Sequence, residues 1–475
     1  MKLAKLTVLS DGEIKQIHEA SLDVLDACGV KILHPGLLGF LAEQGLPVLR
    51  ESQQVRFPRA CIEDSVSRVP GRFEIFDRDG RFAFTLGDGV SRIAAGHNAV
   101  FWVDSQTGET RASTVEDVEQ FARICEELTG IDMIGIPVMP QNVPLPEASL
   151  LYGVRACIEN SRKPLFYSTD NPRVNRAVIR MLEATFPGDL RRQPYGICQF
   201  SPTSPLYWEG PVIEGVMDTV TAEVPLAILP EPNAGVSAPY TLAGLLTVNN
   251  AEWLSGLVIS QLIKPGAKVM YANSWTTTDM RTGYALVGSA ETSICRVAGA
   301  QLARFYGVPS HTTAPNSDNH AHDEQNAWEK TFSTFCAVAA GNDLIVNCGM
   351  FATGLTCSHE QLIMDEEIAG MSRRIAAGIE VNEAAIAREL VEEIGPRGTG
   401  YLTACHTLER LRGNEFFIPR VAVRGPRAIW EARGSKDTAQ LARDHAEEMM
   451  AGGSARLDPA RQFRLCEILE SFSSH

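Results

Sequence analysis

From about residue 131 the sequence alternates short apolar runs with segments of helical periodicity, and this repeat constrains the fold more than any other feature. The runs are apolar throughout, which is typical of strands buried on both faces of a parallel sheet. Helices between successive runs are what parallel βαβ units require. Seven repeats predict an α/β protein with a (β/α)8 TIM barrel rather than an open sheet. The runs lie at 131–138, 164–168, 195–200, 225–229, 268–272, 309–313 and 344–348.

The segments outside these repeats predict two flanking regions. Residues 1–115 form an N-terminal α+β extension that begins with a capping box, in which Ser10 precedes Glu13 by three positions. Residues 116–378 form the barrel core, and residues 379–475 form a mostly helical C-terminal region. The eighth barrel strand is expected either in the hairpin near 98–102 or after residue 377.

Charge and cysteine usage exclude several classes of protein. The 475-residue chain has a formal net charge of −15, which argues against nucleic acid and anionic lipid as partners. Its eleven cysteines include no CxxC pair and indicate free thiols in a reducing, cytoplasmic compartment. We expect no secretory signal and no membrane span, because the N-terminus enters a charged helix and no uncharged apolar run reaches about 18 residues.

A group of aromatic residues lies at the carboxyl ends of the predicted strands. In a (β/α)8 barrel the functional site is built at this end of the strands. Aromatic faces attract a quaternary ammonium ion, with up to about 2 kcal/mol for a desolvated contact. The group indicates a cage for such a cation, although the same residues would also serve simply to close the barrel mouth. Its members are Tyr207, Trp208, Tyr271, Trp275, Tyr284 and Phe351.

Histidines after the sixth run suggest a different chemistry, a metal-dependent hydrolase or lyase. The candidate ligands are His311, His320, His322 and Asp323. We favour polar loop residues over metal ligands, because two of the histidines share a side only if the segment is extended. No metal is therefore expected.

Two other histidines, His97 and His406, stand alone in the sequence. Each suits either a substrate carboxylate or a structural hydrogen bond.

Motifs along nearly the whole chain resemble one known family, the trimethylamine methyltransferases. The similarity begins with the opening helix at 9–32 and rests on the combination, since no single motif is specific. The other motifs are Asp104, Thr107, Gly108, Arg111, Thr114 and Asp117; 138–144; 279–283; Gly288, Ser289 and Glu291; Ser317, Asp318, Asp323, Gln325, Glu329 and Lys330; Gly349, Met350, Gly354 and Thr356; Ser358 and 360–362; and His406, Thr407 and Trp430.

The resemblance implies an enzyme that moves a methyl group from a methylamine to a corrinoid protein. Founding members carry pyrrolysine after the Gly-Met pair, and the matching position here is Thr353. The chain therefore resembles the non-pyrrolysine branch, the glycine betaine:corrinoid methyltransferases. The same resemblance implies that no cofactor is held permanently, that the cob(I)alamin acceptor belongs to a corrinoid-binding partner, and that the substrate is a small quaternary amine. We also expect a homo-oligomer.

The absence of pyrrolysine fits the chemistry of a quaternary amine. Its leaving group is a neutral amine, so attack by Co(I) needs orientation and desolvation but no general acid. The family motif carries over Glu291 as the catalytic-site carboxylate that balances the ammonium charge, and a buried structural pair with Arg281 is the alternative. A betaine carboxylate would be held by His97, Asn98, His311 or Arg281. A non-catalytic binder of methylated amines stays open as a further function class.

Overall fold

The computed structural model describes residues 3–398, 400–413, 415–452 and 455–474. At its centre is a closed barrel of eight strands in consecutive chain order. All neighbouring strands are parallel, so their carboxyl ends meet at one mouth. The strands are β1 (Arg92–Ala95), β2 (Met133–Gly135), β3 (Leu165–Ser168), β4 (Gly196–Phe200), β5 (Leu226–Ile228), β6 (Val269–Asn273), β7 (Ser310–Thr313) and β8 (Leu344–Cys348).

One helix follows each strand and runs back outside the barrel. These helices are α1 (Val115–Glu127), α2 (Ser149–Asn160), α3 (Pro172–Thr185), α4 (Gly210–Thr221), α5 (Leu242–Ile263), α6 (Ala290–Tyr306), α7 (Glu324–Ala340) and α8 (His359–Ala377). The predicted (β/α)8 barrel is confirmed, and each of the seven apolar runs overlaps one strand.

Both positions predicted for the remaining strand are wrong, because β1 occupies Arg92–Ala95. The strand is only four residues long and includes two alanines, so it lacks the apolar run that marks the other seven. Gly96, in the left-handed region with φ of +66°, turns the chain directly after it. The barrel therefore includes a strand from within residues 1–115, ahead of position 116.

An N-terminal hairpin closes the end of the barrel opposite the mouth. Its strands are Phe73–Phe76 and Phe82–Leu86. Four of its apolar side chains form one buried cluster with residues of the barrel strands, including Phe166 and Met270. The amide of Gly87 donates to the carboxylate of Asp343, just before β8 (3.1 Å), which fixes the hairpin at the amino ends of the strands.

The rest of the N-terminal region packs beside the barrel. The helix Asp11–Ala27 starts with the predicted capping box, which is confirmed. Its neighbours are the helices Pro35–Glu43 and Arg59–Arg68 and the strands Val30–Ile32, Val48–Leu49 and Gln54–Val55.

Short strands and one 3-10 turn lie around the mouth. The hairpin Phe101–Val103 and Thr110–Ala112 joins Met350–Phe351 and Thr356–Cys357 in one sheet. A second sheet contains Asn233–Ala234, Thr276–Asp279 and Tyr284–Leu286. The strand Tyr207–Trp208 pairs with Val30–Ile32, and a 3-10 turn spans Pro146–Ala148.

The C-terminal region is mostly helical, as predicted. Thr438–Ala451 packs on α8 and α1, and Pro459–Ser473 packs on α3. The intervening elements are the helices Glu383–Ile386, Arg388–Ile394, Cys405–Leu411 and Arg427–Ala432 and the 3-10 turn Gly395–Arg397.

Among the described helices, α5 alone is long and apolar enough to cross a membrane by length and composition. However, 72% of its most apolar window is buried inside the protein, and buried polar residues such as Glu252 interrupt it. The burial fits a core helix of the barrel wall.

Candidate functional site

A cavity of about 560 Å³ opens at the carboxyl ends of the barrel strands. It is lined by residues at or after β1 and β3 to β8, including Asn98, Gln199 and Asn347. This is the face on which (β/α)8 enzymes build their sites. The lining is mainly polar, and no lysine or arginine is among the described residues that form it.

Three carboxyl groups give the cavity an acidic wall. Asp170 follows β3, Glu209 precedes α4, and Glu231 follows β5. The charges of Glu209 and Glu231 interact with that of Asp170. Without a basic residue in the described lining, these carboxyl groups favour a cationic ligand over an anionic one.

The Glu231 side chain is exposed to the cavity that it lines. Desolvation by the surrounding protein raises the pKa of its carboxyl to about 7, against a hydrogen bond from Ser274 that lowers it. Desolvation by the cavity wall likewise raises the pKa of Asp170, and the charge of Glu209 adds to this effect. A cation between these groups would favour their ionised forms and so bind with proton release.

A hydrogen-bonded row of neutral side chains crosses the floor of the cavity. Gln199 accepts from Nε2 of His311 (3.1 Å) and donates through its amide to Nε2 of His97 (3.2 Å). The Ser168 hydroxyl lies 3.1 Å from the same His97 nitrogen and accepts from Asn98 (3.0 Å). One amide thus fixes the orientation of both rings.

Burial keeps both of these histidines uncharged. Desolvation lowers the pKa of His97 to about 4 and that of His311 to about 3. His97 lines the cavity, whereas His311 lies fully buried beneath Gln199. The floor therefore offers neutral hydrogen-bonding groups in the same cavity as the three carboxyl groups.

Thr353, the position that matches pyrrolysine in the resemblance, lies on the cavity wall. Ala352 and Thr353 both adopt left-handed backbone conformations, with φ of +52° and +57°. The turn is held by the Thr353 amide, which donates to the carbonyl of Ser317 (2.9 Å), while its hydroxyl donates to Asp318 (3.3 Å). The side chain at this position reaches the cavity even though a threonine occupies it.

The structure does not bring the six predicted aromatic residues together as one cage. Trp208 is buried and donates to Ser255 of α5 (3.0 Å). Tyr271 is buried too and donates to Asn250 of the same helix (3.3 Å). Both therefore face the helical layer rather than the mouth.

The other four aromatics are dispersed around the mouth. Trp275 is buried against α6 beside Gly299, and Phe351 is buried with its ring 4.9 Å from that of His322. Tyr207 is half-buried, with the Lys31 ammonium 5.7 Å from its ring centre. Tyr284 is largely exposed on the outer sheet.

Glu291 and Arg281 lie in a second cavity of about 600 Å³, beside the outer sheet of the mouth. Glu291 is exposed at the start of α6. Arg281 is exposed as well and pairs with Asp279 (3.2 Å). The alternative interpretation, a buried pair between Glu291 and Arg281, is therefore wrong. Neither residue is among the described lining of the acidic cavity.

The residues of the metal hypothesis are also separated. His311 is in the barrel floor, His320 is exposed, and His322 contacts the Ser358 hydroxyl (3.3 Å). Within the described part of the chain, no group of three histidine, cysteine or acidic side chains is arranged to hold a metal ion. His406 lies in the C-terminal region, where its Nε2 is 3.2 Å from the carbonyl of Ala384.

The site residues that the sequence interpretation missed are mostly polar groups at strand ends. Asp170 and Glu209 were not among the candidates, and neither were Gln199 and Glu231. Acidic or amide residues within three positions of the end of a barrel strand indicate such a site, and three of these four satisfy this criterion. Glu209 lies nine positions after the end of β4, and only the folded chain brings it to the cavity.

Fold and site together define a (β/α)8-barrel enzyme whose acidic cavity is formed at the carboxyl ends of its strands. The family model for trimethylamine methyltransferase (MTTB) matches residues 1–470. The chain belongs to this family and is a methyltransferase.

Individual relatives match this chain over most of its length. The chain is 30% identical to trimethylamine methyltransferase MttB of Desulfitobacterium hafniense (strain DSM 10664 / DCB-2), covering 93% of this chain and 88% of the relative. It is 27% identical to glycine betaine methyltransferase of Desulfitobacterium hafniense (strain Y51), covering 94% and 93%. Among solved structures, the monomethylamine methyltransferase of Methanosarcina barkeri matches with a TM-score of 0.52 at 12% identity, covering 94% and 89%. That likeness supports the barrel fold.

Proposed function

We propose that the enzyme transfers a methyl group from a quaternary amine, glycine betaine or a related betaine, to the Co(I) corrinoid of a partner protein. The observation that carries the proposal is the acidic cavity. Its described lining includes the carboxyl groups of Asp170, Glu209 and Glu231 and contains no lysine or arginine. A quaternary ammonium group keeps its positive charge at every pH, so it is a small ligand that the ionised form of such a wall attracts.

The chemistry requires little of the protein beyond binding and orientation. The lone pair of Co(I) forms the new bond to the methyl carbon while the bond from that carbon to nitrogen breaks. The nitrogen keeps the bonding electrons and leaves as a neutral tertiary amine, so no proton is transferred. The two floor histidines stay uncharged at neutral pH, in keeping with a reaction that needs no general acid.

The presence of a threonine at position 353 favours a substrate that needs no activation by the enzyme. Its hydroxyl and backbone are engaged with Asp318 and Ser317, and a threonine hydroxyl is not an electrophile. A tertiary amine would need such activation, whereas a quaternary amine does not. This difference favours the substrate class of the glycine betaine relative over that of the trimethylamine relatives.

A betaine also carries a carboxylate, which needs hydrogen-bond donors at the other pole of the cavity. Of the four residues considered from sequence, His97 and Asn98 line the cavity. We assign the carboxylate to these neutral residues. A cytoplasmic location is part of the proposal, because Co(I) requires strong reductants and the described cysteines are unpaired thiols.

The test is methyl transfer to free cob(I)alamin, followed through the absorbance of methylcobalamin. The panel contains glycine betaine, carnitine and proline betaine as quaternary amines, with dimethylglycine and trimethylamine as tertiary analogues. We expect transfer from at least one quaternary amine and none from the tertiary amines. Transfer from trimethylamine alone would contradict the proposal, and calorimetric binding of a betaine without transfer would indicate a binding protein.

A further inference from the structure

A buried ion pair lies between two barrel helices, beside the end of β8. Lys330 of α7 and Asp365 of α8 are both fully buried, and the ammonium nitrogen of Lys330 is 2.9 Å from the carboxylate of Asp365. Burial removes both charges from water, and the cost of this desolvation largely offsets their attraction. The pair therefore adds little stability over apolar side chains of similar size, and its contacts indicate a different role.

Both members of the pair hydrogen-bond to the backbone of residues 347–354, here called the β8 turn. The Asp365 carboxylate accepts from the amide of Gly349 (2.8 Å), and the Lys330 ammonium donates to the carbonyl of Met350. The same ammonium lies 3.5 Å from the carbonyl of Pro315, shortly after β7. The pair thus fixes two consecutive residues of the β8 turn and contacts the neighbouring strand end.

The carboxylate of the pair has a defined orientation. One oxygen of Asp365 accepts from Lys330 and Gly349, and the other accepts from the side-chain amide of Gln361, one turn earlier on α8 (2.8 Å). Because both oxygens have donors, rotation of the carboxylate would break at least one hydrogen bond. The backbone of the β8 turn is therefore bound to a rigid group rather than to a mobile side chain.

The β8 turn needs such support because its backbone is strained. Asn347, Ala352 and Thr353 have φ of +128°, +52° and +57°. Residues other than glycine keep such conformations only where the surrounding contacts impose them. Further contacts come from the loop after β7, where the carbonyl of Asn319 accepts from the amide of Ala352 (3.0 Å).

The β8 turn forms part of the wall of the acidic cavity. Its residues in the lining are Asn347, Met350, Thr353 and Gly354. The side-chain nitrogen of Asn347 donates to Asn316 (3.0 Å), another residue of the lining. The side-chain oxygen of Asn347 is buried and has no hydrogen-bond partner among the described residues. A shift of the β8 turn would therefore move both this oxygen and the Met350 side chain relative to a bound ligand.

We propose that Lys330 and Asp365 are positioning residues, which hold the β8 turn in the strained conformation that places Asn347 and Met350 in the cavity wall. Neither member of the pair is among the described lining of the cavity, so both act through the turn rather than on the substrate. The inference rests on the proposed function, because it takes this cavity as the substrate site.

The first variant is Lys330→Met, which leaves the Asp365 carboxylate without its cation and the Met350 carbonyl without a donor. We expect the melting temperature to fall by about 3–5 °C. Amides of residues 349–355 should exchange with solvent about tenfold faster or more, measured by hydrogen exchange and mass spectrometry. KM for the quaternary amine that the wild type uses best should rise by about tenfold or more, with a smaller change in kcat.

The matched control is Phe84→Ala, which removes a buried side chain of the hairpin at the closed end of the barrel. It should lower the melting temperature by a similar amount, but leave both the exchange of residues 349–355 and KM at wild-type values. A purely structural role of the ion pair would make the two variants alike in all three measurements, and this result would overturn the proposal.

The double variant Lys330→Met/Asp365→Leu separates position from charge. It removes both buried charges, so it should recover at least half of the loss in melting temperature. Exchange of residues 349–355 should stay fast and KM should stay high, because no group holds the β8 turn. This variant carries the test alone if Lys330→Met does not fold.

Wild-type exchange or a wild-type KM in either folded variant overturns the proposal. Hydrogen exchange is measured without substrate, so it does not depend on methyl transfer. A wild type that transfers no methyl group from any quaternary amine would contradict the proposed function, whereas fast exchange in the variants would still support the role of the pair in holding the β8 turn.

Discussion

At the scale of single residues, Glu231 makes the binding of the proposed cation depend on pH. Desolvation by the surrounding cavity wall raises the pKa of its carboxyl to about 7, so the group is mostly protonated below that pH and mostly ionised above it. Only the ionised form attracts an ammonium group. We therefore expect the affinity for the quaternary amine to rise as the pH rises through about 7, measured by calorimetry from about pH 6 to 8. An affinity that falls over this range would contradict the assignment.

A substitution that removes the charge of Glu231 but keeps the size of its side chain tests the role of that charge. Glu231→Gln keeps the hydrogen-bonding outline but cannot ionise, so KM for the quaternary amine should rise by about tenfold or more at pH 8. The pH dependence near 7 should also weaken. Glu74→Gln, an exposed glutamate of the hairpin at the other barrel end, is the control and should retain wild-type kinetics. Equal KM values for the two variants would remove Glu231 from the site.

Thr353→Ala tests whether the strand-end turn still has a chemical role. The hydroxyl makes one long hydrogen bond to Asp318 (3.3 Å), and alanine tolerates the left-handed backbone as well as threonine does. We expect kcat for the quaternary amine to change by no more than about twofold, with a small change in thermal stability. Complete loss of turnover in a folded variant would show that Thr353 acts in the reaction.

The sequence predicted where the site lies better than which side chains form it. The ends of the apolar runs located the mouth, and His97 and Thr353 do line the cavity. Trp208 and Tyr271 follow or belong to strands as well, but alternate residues of a strand face opposite sides. These two face the helices. The periodicity of a short, wholly apolar strand does not reveal which side is inward.

At the scale of elements, α5 positions the loop that follows β4. Glu252 is fully buried in this helix and accepts from the Ser204 hydroxyl (2.8 Å) and the Leu206 amide (2.7 Å). Desolvation raises the pKa of its carboxyl to about 7. Ser204 lines the acidic cavity, so this buried carboxyl group shapes the cavity wall without contacting its contents.

Glu252→Ala should therefore affect both stability and binding. The lost acceptor leaves a buried amide without a partner, at a cost of about 1–3 kcal/mol of unfolding free energy, and KM should rise as the loop moves. Glu252→Gln keeps an acceptor for Leu206 and should recover most of both properties. Denaturant unfolding and steady-state kinetics measure the two effects. An alanine variant with wild-type stability would mean that the loop is held by other contacts.

The elements themselves were largely predictable, because burial on both faces imposes a simple apolar pattern. Seven strands and their helices follow that pattern. The exception is β1, whose four residues carry little apolar surface and whose pairing with β8 and β2 depends on closure of the barrel. Closure is a property of the whole sheet, so a local pattern did not locate this strand.

At the scale of the whole molecule, the two ends of the barrel differ in structure: one holds the cavity and the other is closed by packed side chains. The mouth carries the polar, acidic cavity, whereas the opposite end is closed by the hairpin Phe73–Phe76 and Phe82–Leu86. Contacts that stabilise the fold at the closed end are thus kept away from the approach of substrate and methyl acceptor.

This division predicts that the hairpin contributes to stability without contributing to binding. Phe84 is 5% exposed and packs in the cluster that fills the barrel interior. Phe84→Ala should lower the unfolding free energy by about 3–5 kcal/mol, while KM and kcat of the folded fraction stay at wild-type values. Phe82→Ala, on the same strand but 57% exposed, should change stability by no more than about 0.5 kcal/mol. A change in KM for Phe84→Ala would show instead that the interior packing couples the closed end of the barrel to its mouth.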